Sequence, residues 1–160
     1  MQLDVRHWRQ RQQGECLVAC VAMVLTYMGQ RARYDRLRAQ LDTSTAGTFF
    51  FNLDRLRSFW FMVKRNQGNL TILREQLAQG HPIIVPVATE VLPYWLTRSD
   101  IAEEERLTQH AVVVVNIDAQ FVYVNDPDFA QAPQVVEIGW FMDAWKYHDH
   151  WYAVIRRRWD

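Results

Sequence analysis

Cys16 stands where a polar, Gly-containing segment, QRQQGE, gives way to a nearly unbroken apolar run, CLVACVAMVLTYMG. From Cys16 to Met28 only Thr26 is polar, and Gly29 closes the run. A helix that starts there turns its unsatisfied N–H groups and the positive end of its dipole toward the first side chain, which favours negative charge. Such a position can lower a thiol pKa well below its ordinary value of about 8.5, most of all beside an imidazolium, and the thiolate is the nucleophile. Cys20 lies one turn inside the apolar run, has no such help, and is expected to be an inert core residue.

A thiolate nucleophile needs a base. His110 opens the most apolar stretch of the chain, HAVVVVNID, and FVYVNDP follows after a tight turn around Asp118–Gln120. A ribbon folded near residue 118 or 119 brings His110 opposite Asp126, or within one or two residues of it. The two positions differ by an even number of residues, and direct antiparallel partners point to the same face. Asp126 can then orient the ring, fix its tautomer and stabilise the imidazolium, the third member of a nucleophile–base–orienter set. Asn125, Asp128 and Asp118 are alternative orienters, and NDPD is also turn chemistry. Parity and position favour Asp126, and a one-residue bulge would shift that choice. Acyl transfer further needs donors aimed at a developing oxyanion. The Cys16 backbone N–H supplies one; Gln10, Gln12 and Gln13 compete to supply the other.

The elements that must position these groups follow from periodicity. Helices are expected over Cys16–Met28, in RYDRLRAQLDT with Tyr34, Leu37 and Leu41 at helical spacing, in NLDRLRSFWF, and in LTILREQLAQG ended by Gly80. Strands are expected over 81–89, 110–118, 121–127, 135–140 and 150–157, with short separations that favour antiparallel pairing. The fold class is therefore α+β, with N-terminal helices packed on a C-terminal antiparallel sheet. The charged segment TRSDIAEEERLTQ carries Asp100 and Glu103 as a helix-start box and reads as a solvent-facing helix or a flap beside a site.

Composition bounds the rest. The 160 residues fit a single domain over 1–160, with 49% apolar residues for a core and seven Trp. Eighteen basic residues balance eighteen acidic ones, so net charge suggests neither nucleic acid nor an anionic membrane. Arg156, Arg157 and Arg158 read as a solvated terminus. Two cysteines four residues apart on one helix are poorly placed for a disulfide, which points to a reducing, cytoplasmic location. No signal-peptide core is visible, and the run from Cys16 is shorter than the about 20 residues that span a bilayer. The HDH triplet at 148–150 would set two imidazoles on one face of a strand, too few ligands for a metal site. No metal or other cofactor is expected, and His7 and His81 read as structural.

Gln10, five intervening residues, then Cys16 and LVACVAMVLTYMG resemble the N-terminal signature of the bacteriocin-processing cysteine peptidases, papain-like domains that remove double-glycine leader peptides and are often fused to ABC exporters. HAVVVVNID and FVYVNDP resemble that family's His and Asp motifs, in the same order, and the likeness spans almost the whole chain. It implies a papain-like fold, with Gln10 in the oxyanion hole, Cys16 as nucleophile, His110 as general base and acid, and Asp126 as orienter. It implies cleavage after a small-residue pair, usually Gly-Gly, through an acyl-enzyme and without a metal. Leu17 stands where the family commonly has Gly, and Asn116 where it tends to have Gly; both bear on the cleft. Leu17 and Trp95, the latter in LPYW, are the candidate substrate-binding residues.

The sequence shows no transmembrane or nucleotide-binding segment, so the expectation is a stand-alone domain acting on a peptide or protein substrate, such as a leader-containing precursor, with a separate transporter as a further partner. Neither nucleic acid nor membrane insertion is expected. Two rival readings use the same fold: a non-catalytic peptide-binding domain, and a transglutaminase or deamidase in which the acceptor or the attacked amide differs.

Overall fold

The computed structural model describes residues 2–98 and 109–159. Asp100 and Glu103, the expected helix-start box, lie outside the described residues. In chain order the described elements are α1 (Cys16–Tyr27), α2 (Tyr34–Gln40), a 3-10 helix (Phe50–Leu56), β1 (Phe61–Gln67), α3 (Leu70–Ala78), β2 (Ile83–Val87), a second 3-10 helix (Thr89–Val91), α4 (Pro93–Leu96), β3 (His110–Ile117), β4 (Phe121–Asn125), β5 (Gln134–Glu137), α5 (Ile138–Lys146) and β6 (Trp151–Arg157).

Six strands form one sheet in the order β1-β6-β2-β3-β4-β5, with every neighbouring pair antiparallel. Strand alternation divides the core between its two faces. Ile84, Val113, Val115 and Ile155 pack under α1, whose residues from Leu17 to Leu25 are all buried. Ile83, Val85, Val112 and Val114 pack on the other face with Leu73 and Leu77 of α3 and with Phe141 and Trp145 of α5. Covered on both sides, β2 and β3 need apolar residues at successive positions, which explains why they read as unbroken apolar runs. The architecture is the expected α+β arrangement, with α3 and α5 added on the face away from α1.

Three segments differ from the sequence expectation. NLDRLRSFWF is not one helix: it is a 3-10 helix to Leu56, and Phe61 already belongs to β1. Ser58 breaks it, because its hydroxyl accepts the N–H groups of Trp60 and Phe61, each at 3.2 Å. The strand expected over 135–140 ends at Glu137, where α5 begins, and Phe141, Ala144 and Trp145 at helical spacing bury its inner face. HDH is a turn rather than a strand: Asp149 and His150 have φ of 51° and 58°.

The β3–β4 hairpin carries the register that matters. Near the turn, Asn116 pairs with Tyr123 and Ile117 with Val122; beyond a shift between Val114 and Asn116, Val114 pairs with Val124 and Val113 with Asn125. Continued past the strand end, the second register sets Asp126 level with Val112, on the same face as Val112 and His110. The first register, continued without the shift, would have set Asp126 opposite Val113 and turned it to the other face.

Candidate active site

His110 is the first residue of β3 and is 3% exposed. Its Nε2 lies 2.7 Å from Oδ1 of Asp126, which has no exposed surface. The pairing is diagonal across the hairpin rather than directly opposite, a reach open to long side chains. Asp126 is satisfied on both carboxylate oxygens. The Asp128 backbone N–H donates to Oδ1 at 2.9 Å, while the Tyr94 hydroxyl and the Trp95 indole N–H donate to Oδ2 at 2.7 and 2.9 Å. The Asp126 carbonyl lies 2.8 Å from Nε2 of His7.

Burial alone would push His110 toward its neutral form. The Asp126 charge and hydrogen bond, joined by those of Cys16, outweigh it and raise the ring pKa well above the ordinary value. Burial likewise opposes ionisation of Asp126, yet the His110 charge and the hydrogen bonds from His110, the Asp128 N–H and Tyr94 hold its carboxyl below the usual range. The pair is a buried imidazolium–carboxylate. Because Asp126 takes Nε2, Nδ1 is the ring nitrogen left for a thiol.

Cys16 is the half-buried first residue of α1. Glu15 ahead of it makes no side-chain cap, so the first-turn N–H groups are not claimed by it. Cys16, Leu17 and His110 line one cavity of about 350 Å³, walled by Gly14, the 44–50 segment, Pro86 and Gln109. Gly14 has φ of +85°, and a Cβ there would lie 3.0 Å from the Thr45 carbonyl oxygen. Only glycine lets the Ser44–Gly47 turn close on the backbone two residues before Cys16. Cys20 is fully buried, and burial, reinforced by the Cys16 charge, pushes its thiol well up. The geometry can hold a thiol's proton on the ring paired with Asp126 and pass it to a leaving group.

Residues 4–148 match the model of the peptidase C39 family. The chain belongs to the peptidase C39 family. That makes it a member of a cysteine peptidase family. Solved structures of C39 domains share its fold. A candidate C39-like peptidase from Bacillus anthracis superposes with a TM-score of 0.74 at 15% identity, covering 99% of this chain and 98% of that one. A double glycine motif protease from an AMS/PCAT transporter, in complex with the leader peptide, gives 0.72 at 18% identity, with 98% and 94% covered. The peptidase domain of Streptococcus ComA, a bi-functional ABC transporter involved in a quorum sensing pathway, gives 0.72 at 18% identity, with 94% and 97% covered. No curated protein sequence matches the chain.

Within this C39 domain the expected site residues fall into two groups. Cys16, Leu17, His110 and Asp126 come together. Gln10 does not line the cavity; its backbone N–H donates to the Pro127 carbonyl at 2.8 Å and its Nε2 to the Gln12 carbonyl at 3.2 Å. Its Oε1 is buried and finds no hydrogen-bond partner among the described residues. Trp95 is buried, away from the cavity lining, with its ring edge-on to His110 at 5.0 Å between centroids. Sequence reasoning missed Tyr94, whose hydroxyl burial and the Asp126 charge keep protonated as a donor. Pro93 at the start of α4 was the available signal, since it opens the short helix that presents both aromatic donors. Among the described residues no cluster of three or more His, Cys, Asp or Glu could hold a metal ion, and no helix is long and apolar enough to cross a membrane.

Proposed function

We propose that this C39 domain is a cysteine endopeptidase that hydrolyses a peptide bond through an acyl-enzyme, with Cys16 as nucleophile, His110 as general base and acid, and Asp126 as orienter. The observation that carries this reading is the one cavity lined by both Cys16 and His110, the latter held by a buried carboxylate. The proton of the Cys16 thiol resides on His110 as the imidazolium, and the thiolate attacks the scissile carbonyl. The imidazolium then gives its proton to the departing amine, and water, activated by the same ring, releases the acid from the thioester. The Cys16 backbone N–H is one donor to the oxyanion. Gln10 supplies the second if its amide turns from Gln12 toward the cavity.

The substrate is a peptide with small residues before the scissile bond, as in a Gly-Gly leader. The nearest support is the leader peptide bound to the structurally similar protease of the AMS/PCAT transporter. Both cysteines are free, in keeping with action in the cytoplasm on a precursor handed on to a separate transporter.

The test is incubation of the full chain with synthetic leader peptides ending in Gly-Gly-X, read by mass spectrometry. Two fragments whose masses sum to the peptide plus one water support hydrolysis. A gain of about one dalton at a glutamine would instead assign deamidation, and intact peptide bound by both wild type and Cys16→Ala would assign a binding module.

A further inference from the structure

Directly before the nucleophile position lies a buried carboxylate. Glu15 is 3% exposed, and its side chain turns away from the helix it precedes. It reaches α2 instead, where the Tyr34 hydroxyl donates to Oε1 at 3.0 Å and Arg38 Nε donates to Oε2 at 2.7 Å. The Tyr34 hydroxyl also accepts the Arg11 backbone N–H at 3.3 Å, the Arg11 guanidinium lies 4.3 Å from the Tyr34 ring centre, and Arg11 pairs with Asp35 at 3.1 Å. One hydroxyl thus ties both ends of the 11–15 loop to α2. Burial pushes that hydroxyl up to about 12, with the Glu15 bond adding to the rise and the Arg11 N–H opposing it, so it stays a donor.

Stability alone is a weak account of such a group. A buried ion pair is often no more stabilising than apolar residues of the same volume. A carboxylate beside the residue that must become a thiolate also opposes that charge, unless it is neutralised. The other titratable groups facing Cys16 are His110, with Asp126 behind it, and Cys20 one turn along α1. Those facing Glu15 are Tyr34 and Arg38, with Arg11 outside them.

We propose that Arg38 and Tyr34 are positioning residues for Cys16: Arg38 cancels the charge of Glu15, the residue directly before Cys16, and Tyr34 pins the loop that delivers the thiol. This rests on the reading of Cys16 as the nucleophile.

The experiment is the rate of Cys16 alkylation by iodoacetamide against pH, in the full chain, resolved from Cys20 by peptide mass spectrometry. Arg38→Gln exposes the thiol to an uncompensated carboxylate, so its midpoint moves up by about one pH unit, which is about tenfold slower alkylation on the acid side. Glu15→Gln combined with Arg38→Gln returns the midpoint to the wild-type value. A folded Arg38→Gln with an unmoved midpoint overturns the proposal, as does a double variant as shifted as the single one. A purely structural pair would lower the melting temperature without that ordered recovery.

Should Arg38→Gln not fold, Arg38→Lys and Glu15→Gln replace it. The charge-preserving lysine keeps the midpoint, and Glu15→Gln, which leaves Arg38 unopposed, lowers it; the reverse order overturns the proposal. A wild-type Cys16 no faster than a free thiol overturns the nucleophile reading itself. A fast wild type with an unmoved Arg38→Gln overturns only the role of Arg38.

Discussion

The indole N–H of Trp95 donates to Oδ2 of Asp126 at 2.9 Å. The same ring stands edge-on to His110 at 5.0 Å, so one side chain braces both members of the buried ion pair. Trp95→Phe removes the donor and keeps an aromatic face. It should lower stability by about 1–3 kcal/mol, the range for a buried acceptor that loses a partner, and reduce turnover in step. Urea unfolding checks the first and peptide cleavage the second. A Phe variant as stable as wild type would mean that Tyr94 and Asp128 satisfy the carboxylate without it.

Cys16→Ala should abolish cleavage and leave the fold intact, because it removes one sulfur from a half-buried position. Cleavage by that variant sinks the assignment. His110→Ala should cost more turnover than Asp126→Asn, since a base is harder to replace than its orienter. Asp126→Asn should also move the alkaline limb of the pH–rate profile to lower pH, because the charge that raises His110 is gone. An unmoved limb would detach Asp126 from the chemistry.

The pair also makes stability depend on pH. His110 holds its proton more tightly folded than unfolded, so its contribution is full below the unfolded value of about 6.5 and is lost as pH rises through the higher folded value. Asp126 has a depressed folded pKa, so its contribution is present above about 3.9 and is lost as pH falls through the lower folded value. Both are full between about pH 4 and 6.5. The melting-temperature gap between wild type and Asp126→Asn should therefore be larger at about pH 5.5 than at about pH 9. A gap that widens toward alkaline pH contradicts the imidazolium–carboxylate assignment.

Gly14→Ala should fail locally. The substitution puts a Cβ on a backbone with φ of +85° and against the Thr45 carbonyl oxygen at 3.0 Å, a neighbour that is main chain and cannot swing aside. The expected cost is about 1–3 kcal/mol with loss of cleavage, and the 44–47 turn should become more open to proteolysis. Wild-type turnover in Gly14→Ala would show that this turn does not shape the cavity.

The parts of the fold that were legible in the sequence are those fixed by local pattern. An apolar run closed by glycine marked α1, and two apolar stretches about a tight turn marked the β3–β4 hairpin. Parity then picked out Asp126, although the direct pairing behind that choice is offset. Asp126 lies level with Val112, and the register shift near Val115 restores the shared face. What escaped is what distant residues decide. β1 buries little besides Val63 and carries Lys64, Arg65, Asn66 and Gln67, so no apolar alternation announced it. Nothing local marked Glu15 as buried, because Tyr34 and Arg38 reach it only after the chain turns back. Trp95 looked like a cleft residue; its indole N–H instead found a carboxylate thirty-one positions away.

β6, which follows the other described strands in sequence, is not at the edge of the sheet. β6 lies between β1 and β2, pairing with β1 from Phe61 to Gln67 and touching β2 at Ile84. Synthesis runs from the N-terminal side, so α1 is made before β6, the strand that joins β1 to the rest of the sheet. Until then β1 has no partner, and β2, which carries Val87 opposite His110, lacks one neighbour. Long-range pairing of this kind is slow and comes late. The sheet that carries His110 is thus completed only after α1, β2 and β3 have all been made.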